Sequence, residues 1–257
     1  MHGHAESNRS FGRRPGTDLA TAYANDVRRL KTLKGGLLDA YDRMLARYGP
    51  QHWWPGDTRF EVMVGAVLTQ AAAWTNVEKA IGNLRRANVL SLQGIRDLPE
   101  ESLAELLYPS GYYNSKARKL KALVEYLASR FGDDLDAMSR MDGDVLRREL
   151  LQVYGIGEET ADDILLYAAD KPAFVIDNYT RRTFARLGLA PEKSTYTAYQ
   201  SIFMDHLSAD RKMFGEYHAL IVRHGKEACR KRPLCDGCCL LDICPTGTDA
   251  TKHVRGP

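Results

Sequence analysis

Five cysteines, Cys229, Cys235, Cys238, Cys239 and Cys244, are packed into 16 residues, and the first 228 residues contain none. A secreted disulfide framework spreads its cysteines to staple distant segments. A single cluster of thiols reads instead as one local metal site in a reducing compartment. The spacing is Cys229-x5-Cys235-x2-Cys238-x5-Cys244, with Cys239 beside the third. Short loops of this kind can bring four thiolates onto one centre, and both zinc and a [4Fe–4S] cluster are chemically possible. Zinc ribbons usually present two CxxC pairs, whereas only one pair here has that spacing, which favours iron–sulfur. Cys239 is either a spare thiol or an alternative to Cys238.

A second candidate centre lies in LQVYGIGEETADDILLYA, residues 151–168. A helix ending near Tyr154, a tight Gly155-Ile156-Gly157 turn and a new helix from about Glu158 describe a helix–hairpin–helix. Glycines permit positive φ and close backbone approach. Amides at such a turn, with the following helix N-terminus, suit an anion such as a DNA phosphate. A plain αα turn has the same outline. The loop is no P-loop, because Gly-Lys-Ser/Thr is missing. Downstream, Val175-Ile176-Asp177-Asn178 places a carboxylate directly after an apolar run and before a helix. Asp177 is either an N-cap or a group facing a cleft.

Helical periodicity must position these groups. Leu30, Leu33, Leu37, Leu38, Tyr41, Leu45 and Tyr48 recur at three- and four-residue steps, giving one amphipathic face. Thr58 can cap a helix over Phe60–Leu68 that is apolar nearly all round, as a central buried helix should be. Similar spacing continues through Leu84, Leu107, Leu127 and Leu151, and period-2 alternation is scarce. The chain is therefore expected to be all-α. Pro172 ends the pattern at Ala169-Asp170-Lys171, a plausible domain crossing.

Composition excludes several classes. The 257 residues are 44% hydrophobic and 27% charged, an ordinary globular balance. No run approaches a membrane span. Residues 1–16 lack the apolar core of a signal peptide and read as a tail, so a cytoplasmic location is expected. A net charge of +3 implies no nucleic acid by itself. The basic residues nevertheless gather at 116–121 and 223–232, where Arg223, Lys226, Arg230, Lys231 and Arg232 face one Glu227, a pattern suited to phosphates or simply to solvent.

Together these pieces resemble the endonuclease III superfamily of DNA glycosylases from about Ala22 to Cys244. The matching motifs are Leu68-Thr69-Gln70, Gly111-Tyr112-Tyr113-Asn114-Ser115-Lys116-Ala117, the 155–162 hairpin, Val175-Ile176-Asp177, and His224-Gly225-Lys226 running into the cysteines. The resemblance implies a [4Fe–4S] cluster on Cys229, Cys235, Cys238 and Cys244, although the family's first cysteine gap is one residue longer. It also implies a helix–hairpin–helix glycosylase fold in two domains. The first is a six-helix domain over 51–171. The second is a discontinuous cluster domain over 17–50 and 172–245, followed by a tail at 246–257. Double-stranded DNA carrying a damaged base is the implied partner, bound by a monomer at the nucleoid if the protein is bacterial.

Bifunctional members carry a Schiff-base lysine two residues after the second hairpin glycine. This chain has Glu159 there, and a carboxylate cannot form an imine. That feature, with Trp53-Trp54-Pro55 and Phe60–Gln70, resembles the 3-methyladenine glycosylase branch. The implied reaction is hydrolysis of the N-glycosidic bond of an alkylated base, leaving an abasic site. Mismatch or oxidised-base release, with or without lyase activity, and lesion binding without catalysis are the rivals.

Asp177 would stabilise the developing sugar cation or orient water, with Glu159 as second acid group or an exposed first-turn carboxylate. Trp53, Trp54 and Trp74 would stack on a cationic base, at about 0.5–2 kcal/mol each. Gln70 would fill the gap left by the flipped nucleotide. Tyr112, Tyr113 and Lys226 complete the expected pocket. Gly155, Ile156, Gly157, Asn114, Lys116 and Arg181 are the expected DNA contacts.

Overall fold

The computed structural model describes residues 33–53, 56–132 and 134–254. The tail expected at 1–16, the start of the helix expected from residue 17, and Trp54 lie outside them. Among the described residues there are helices and turns and no strand, as the all-α expectation required.

The chain opens with α1 (Leu33–Tyr48), then α2 (Arg59–Leu68), α3 (Trp74–Arg86), α4 (Leu92–Asp97), α5 (Glu100–Leu107) and the long α6 (Tyr113–Phe131). Short α7 (Leu135–Arg140) and α8 (Gly143–Leu150) lead to the hairpin and α9 (Glu158–Asp163), which continues as a π-turn over Ile164–Ala168. After the crossing come α10 (Asn178–Arg186), α11 (Tyr196–Met204), α12 (Arg211–Glu227) and α13 (Pro245–Val254).

Local chemistry sets the starts of these elements. Thr58 Oγ1 accepts from Glu61 N at 3.1 Å, and Asp142 Oδ1 accepts from Val145 N at 3.0 Å. Each satisfies an orphan amide of a first turn. Every residue of α2 from Phe60 to Leu68 is buried, because this helix runs through the middle of the first core.

Two apolar clusters organise the molecule. One gathers Phe60 to Leu84, Leu103 to Leu127, Leu146, Leu150, Ile156, Ala161 and Leu165. The other joins Leu37, Ala40 and Met44 of α1 to Phe174, Phe184, Phe203, Phe214 and Tyr217. In it Phe174 stacks on Phe203 at 3.8 Å, and Tyr217 donates to Leu37 O at 2.6 Å, tying α1 to α12. Leu166, in the π-turn, packs into this second cluster.

The crossing between the clusters is pinned by charge. Asp170 accepts ion pairs from Arg59 Nη1 at 2.7 Å and Arg211 Nη1 at 2.9 Å. A buried pair adds a second bolt. Arg147 grips Asp162 through Nε at 2.7 Å and Nη2 at 3.0 Å. Gln200 of α11 then donates to Asp162 Oδ2 at 2.8 Å and to Phe174 O at 2.9 Å. Such a buried pair is held by completed hydrogen bonding more than by net attraction.

Candidate functional site

Asp177 stands at the N-terminus of α10 and serves two purposes. Its Oδ1 accepts from Thr180 N at 2.7 Å and Thr180 Oγ1 at 2.9 Å, which is an N-cap. Its Oδ2 faces His218 Nε2 at 3.7 Å. The cap and the cleft-facing group are therefore one residue. Burial pushes the carboxyl up, but the His218 imidazole and the Thr180 donors outweigh it and hold Asp177 below the ordinary carboxylate range. His218 Nδ1 is engaged by the Tyr167 hydroxyl at 2.7 Å, so Nε2 is the nitrogen left to face the carboxylate.

Asp177 lies where two cavities meet. An open cleft of about 870 Å³ is lined by Gln70, Gly155, Gly157, Glu159, Asn178 and Arg181, among others. A deeper pocket of about 440 Å³ is lined by Trp53, Trp74, Tyr179, His218, Val222 and Lys226. Both share Glu159, Asp163 and Asp177. The rings of Trp53 and Trp74 are 6.4 Å apart, and Lys226 Nζ lies 5.8 Å over Trp53. Helical spacing brings the wall together: His218, Val222 and Lys226 are four residues apart along one face of α12. Gly225 lets Tyr179 approach that helix, since a Cβ there would overlap the Tyr179 ring.

Glu159 is exposed on the cleft side. Desolvation by its surroundings, with the charge of Asp177, still raises its carboxyl above the usual range. Gln70 Nε2 donates to Thr160 Oγ1 at 2.8 Å and Gly155 O at 3.1 Å, and Lys119 Nζ donates to Gln70 Oε1. Gln70 is thus clamped to the hairpin. Gly155 adopts φ +79°, and a Cβ there would collide with the Lys119 side chain, so this glycine is required twice over. Arg181 lies over Tyr199 at 5.0 Å and donates to Ser194 O at 3.2 Å.

Several expected contacts fall elsewhere. Lys116 is buried and its ammonium donates to Leu68 O at 2.9 Å and Ser110 O at 2.7 Å. It satisfies chain carbonyls from a buried position. Burial pushes it down to about 8. Lys121 likewise donates to Arg96 O and Leu98 O, so the basic run at 116–121 is partly internal. Tyr112 is exposed and Tyr113 packs on the first core beside Tyr108; neither lines the pocket. Their places follow from the left-handed turn at Tyr112, φ 48°, which starts α6. Ile156 is buried and its amide donates to Val153 O at 3.1 Å, so it anchors the hairpin instead of meeting DNA. Asn114 is exposed.

Sequence reasoning missed His218, Asp163 and Tyr167. A signal existed: Glu159, Asp163 and Tyr167 follow at four-residue steps, and so share a helix face.

The cysteines form a separate centre. Cys229, Cys235, Cys238 and Cys244 line one small cavity with His224 and Arg186, and Cys239 is outside that lining. Arg186 Nη1 donates to Cys229 Sγ at 3.2 Å and Gly247 N to Cys244 Sγ at 3.4 Å, which are donors suited to thiolate sulfur. Among the described residues no three His, Cys, Asp or Glu side chains converge to hold a single metal ion.

With the fold and both centres described, the class is defined: the chain belongs to the HhH-GPD superfamily of base excision DNA repair proteins, whose sequence pattern matches residues 64–208. This places it in the endonuclease III superfamily, as its motifs implied. A Methanocaldococcus jannaschii protein whose name places it among DNA repair glycosylases is 46% identical over 79% of this chain and 93% of its own. The endonuclease III of Sulfolobus acidocaldarius is 28% identical over 77% of this chain and 87% of its own. Among solved structures, an H. pylori 3-methyladenine DNA glycosylase bound to 1,N6-ethenoadenine matches with TM-score 0.63 and 30% identity, covering 79% of this chain and 97% of that one. An endonuclease III–DNA covalent intermediate shares the fold, with TM-score 0.73 and 21% identity over 85% and 98%.

Proposed function

We propose that the protein is a monofunctional DNA glycosylase that releases an alkylated purine, 3-methyladenine first, from double-stranded DNA and leaves an abasic site. The observation that carries this reading is Glu159, a carboxyl where an imine-forming enzyme needs an amine, lining the same pocket as Asp177 and two tryptophans. The flipped base enters between the aromatic faces, whose π-clouds favour a cation. The C1′–N bond breaks with its electron pair passing to the base, which leaves neutral without acid catalysis. The ionised Asp177 carboxylate stabilises the cationic sugar, and water adds to C1′, its proton passing to Asp177 or solvent.

Gly155, Gly157, Asn114 and Arg181 would meet phosphates around the cleft, and Gln70 would leave its hairpin clamp to fill the vacated stack. The two apolar clusters support a division into a six-helix domain and a cluster domain. The cavity lined by Cys229, Cys235, Cys238 and Cys244 supports a [4Fe–4S] group, which would brace the loop from 229 to 244. The exposed Lys226, Arg230, Lys231 and Arg232 beside it would face DNA.

The test is base release from a panel of alkylated, oxidised and mismatched duplexes. Release from alkylated purines alone is expected; release only from oxidised pyrimidines overturns the reading. A second reading has one observation in its favour, because Lys226 supplies an amine to the pocket. Borohydride trapping of a protein–DNA adduct, lost in Lys226→Gln, would establish lyase chemistry; no adduct is expected.

A further inference from the structure

The Gly155-Ile156-Gly157 turn is by itself short of positive charge. Its Ile156 amide is spent on Val153 O at 3.1 Å, and two carboxylates, Glu158 and Glu159, follow in the first turn of α9. The cation at this turn comes from another element. Lys119 of α6 lays its stem across Gly155, where an added Cβ would overlap Lys119 Cγ, Cδ and Cε. The ammonium is one bond beyond Cε and so stands at the hairpin. Its neighbours on α6 differ: Lys116 and Lys121 spend their ammonium groups on chain carbonyls. Lys119 donates to one neutral atom, Gln70 Oε1, and among the described residues no carboxylate forms an ion pair with it. A half-buried cation at the rim of the cleft is thus held by an amide alone.

The same contact completes the clamp on Gln70. Its Nε2 donates to Thr160 Oγ1 and Gly155 O, while its Oε1 is held by Lys119. An ammonium bonds an ionised phosphate more strongly than a neutral amide, and a phosphate contact also releases counterions. A phosphate reaching the hairpin therefore competes with Gln70 Oε1 for Lys119. We propose that Lys119 is the phosphate ligand of the hairpin and exchanges Gln70 for the DNA backbone on docking. Backbone contact then unlocks Gln70: its carbonyl oxygen loses its donor and can seek one on a base edge. This rests on the reading of the cleft as the DNA site and of Gln70 as the residue that fills the vacated stack. It adds an unassigned DNA contact and couples it to Gln70.

The experiment is a double-mutant cycle read by DNA binding. The probe is a fluorescent duplex with a tetrahydrofuran abasic-site analogue, which presents an empty stack and no base to release. Affinity is measured by anisotropy across a salt series for wild type, Lys119→Met, Gln70→Ala and the double variant. Loss of one phosphate contact should lower the slope of log affinity against log salt by about one. In the Gln70→Ala background, Lys119→Met should weaken binding by the full contact, about eight-fold at ~0.1 M salt. In the Gln70 background the same change also removes the clamp that opposes binding, so a smaller loss, about three-fold, is expected. A Lys119 that only braces Gln70 predicts the opposite order: a loss with Gln70 present and none in Gln70→Ala. That order, or an unchanged salt slope, overturns the proposal. Lys119→Arg should restore the slope. Met keeps the stem that packs on Gly155, and Lys119→Gln repeats the cycle with a polar end should Met alter the melting temperature. No step of the cycle needs catalysis. Failure to release any alkylated purine therefore overturns the function proposed above and leaves the cycle to decide the role of Lys119.

Discussion

His218 Nε2 faces Asp177 Oδ2 at 3.7 Å, with Tyr167 holding the opposite ring nitrogen at 2.7 Å. The arrangement keeps a buried carboxyl ionised. Burial pushes it up; the imidazole and the Thr180 donors together reverse the sign. A depressed carboxyl contributes stability above its unfolded value and loses it as pH falls through the folded value. The ionised form is also the one the proposed reaction needs. In His218→Leu only the Thr180 donors still oppose burial, so the acidic limb of the base-release rate against pH should move upward. An unmoved limb would dissociate His218 from Asp177.

Asp177→Asn separates capping from charge. Asparagine caps helices about as well as aspartate, so the melting temperature should hold within a few degrees. Loss of the carboxylate should slow base release about 100-fold or more, with DNA binding retained. Full activity in this variant would remove Asp177 from the chemistry.

Lys116 is a structural cation. Its ammonium fills Leu68 O and Ser110 O, so Lys116→Met should cost about 2–4 kcal/mol by orphaning two acceptors. The folded value, about 8, lies below the ordinary lysine value of 10.5. Between those pH values the unfolded chain binds the extra proton, so this group makes stability rise with pH across the window and adds a constant cost below it. Urea unfolding of wild type and variant between pH 7.5 and about 10 checks this: the wild-type curve should gain on the variant as pH rises, and parallel curves would reject the assignment.

The adjacent cysteines should part company. Cys238 lines the cavity with Cys229, Cys235 and Cys244, and Cys239 does not. Cys239→Ser should keep the broad visible absorption and iron content of an anaerobically purified sample. Cys238→Ser should lose most of both. The reverse result would exchange the two roles, and a colourless wild type containing zinc would overturn the iron–sulfur assignment.

The sequence by itself determined what local spacing encodes. Helical periodicity carried the all-α fold, because apolar residues at three- and four-residue steps have to share a buried face. Gly155-x-Gly157 marked the hairpin, since only glycine takes φ +79° against Lys119. Five thiols in one short loop marked the second centre. Even Asp177 was legible as a cap or a cleft residue, and one carboxylate with two oxygens fills both positions. Tertiary packing decided which way side chains turn. Lys116 reads as a surface charge until α2 and the Tyr108–Ser110 turn offer it two carbonyls. Cys238 and Cys239 are neighbours in sequence, and only the fold around the cavity separates them. His218 and Asp163 meet Asp177 across gaps of 41 and 14 residues, a convergence that no local pattern encodes because it depends on how α9, α10 and α12 pack about two cores.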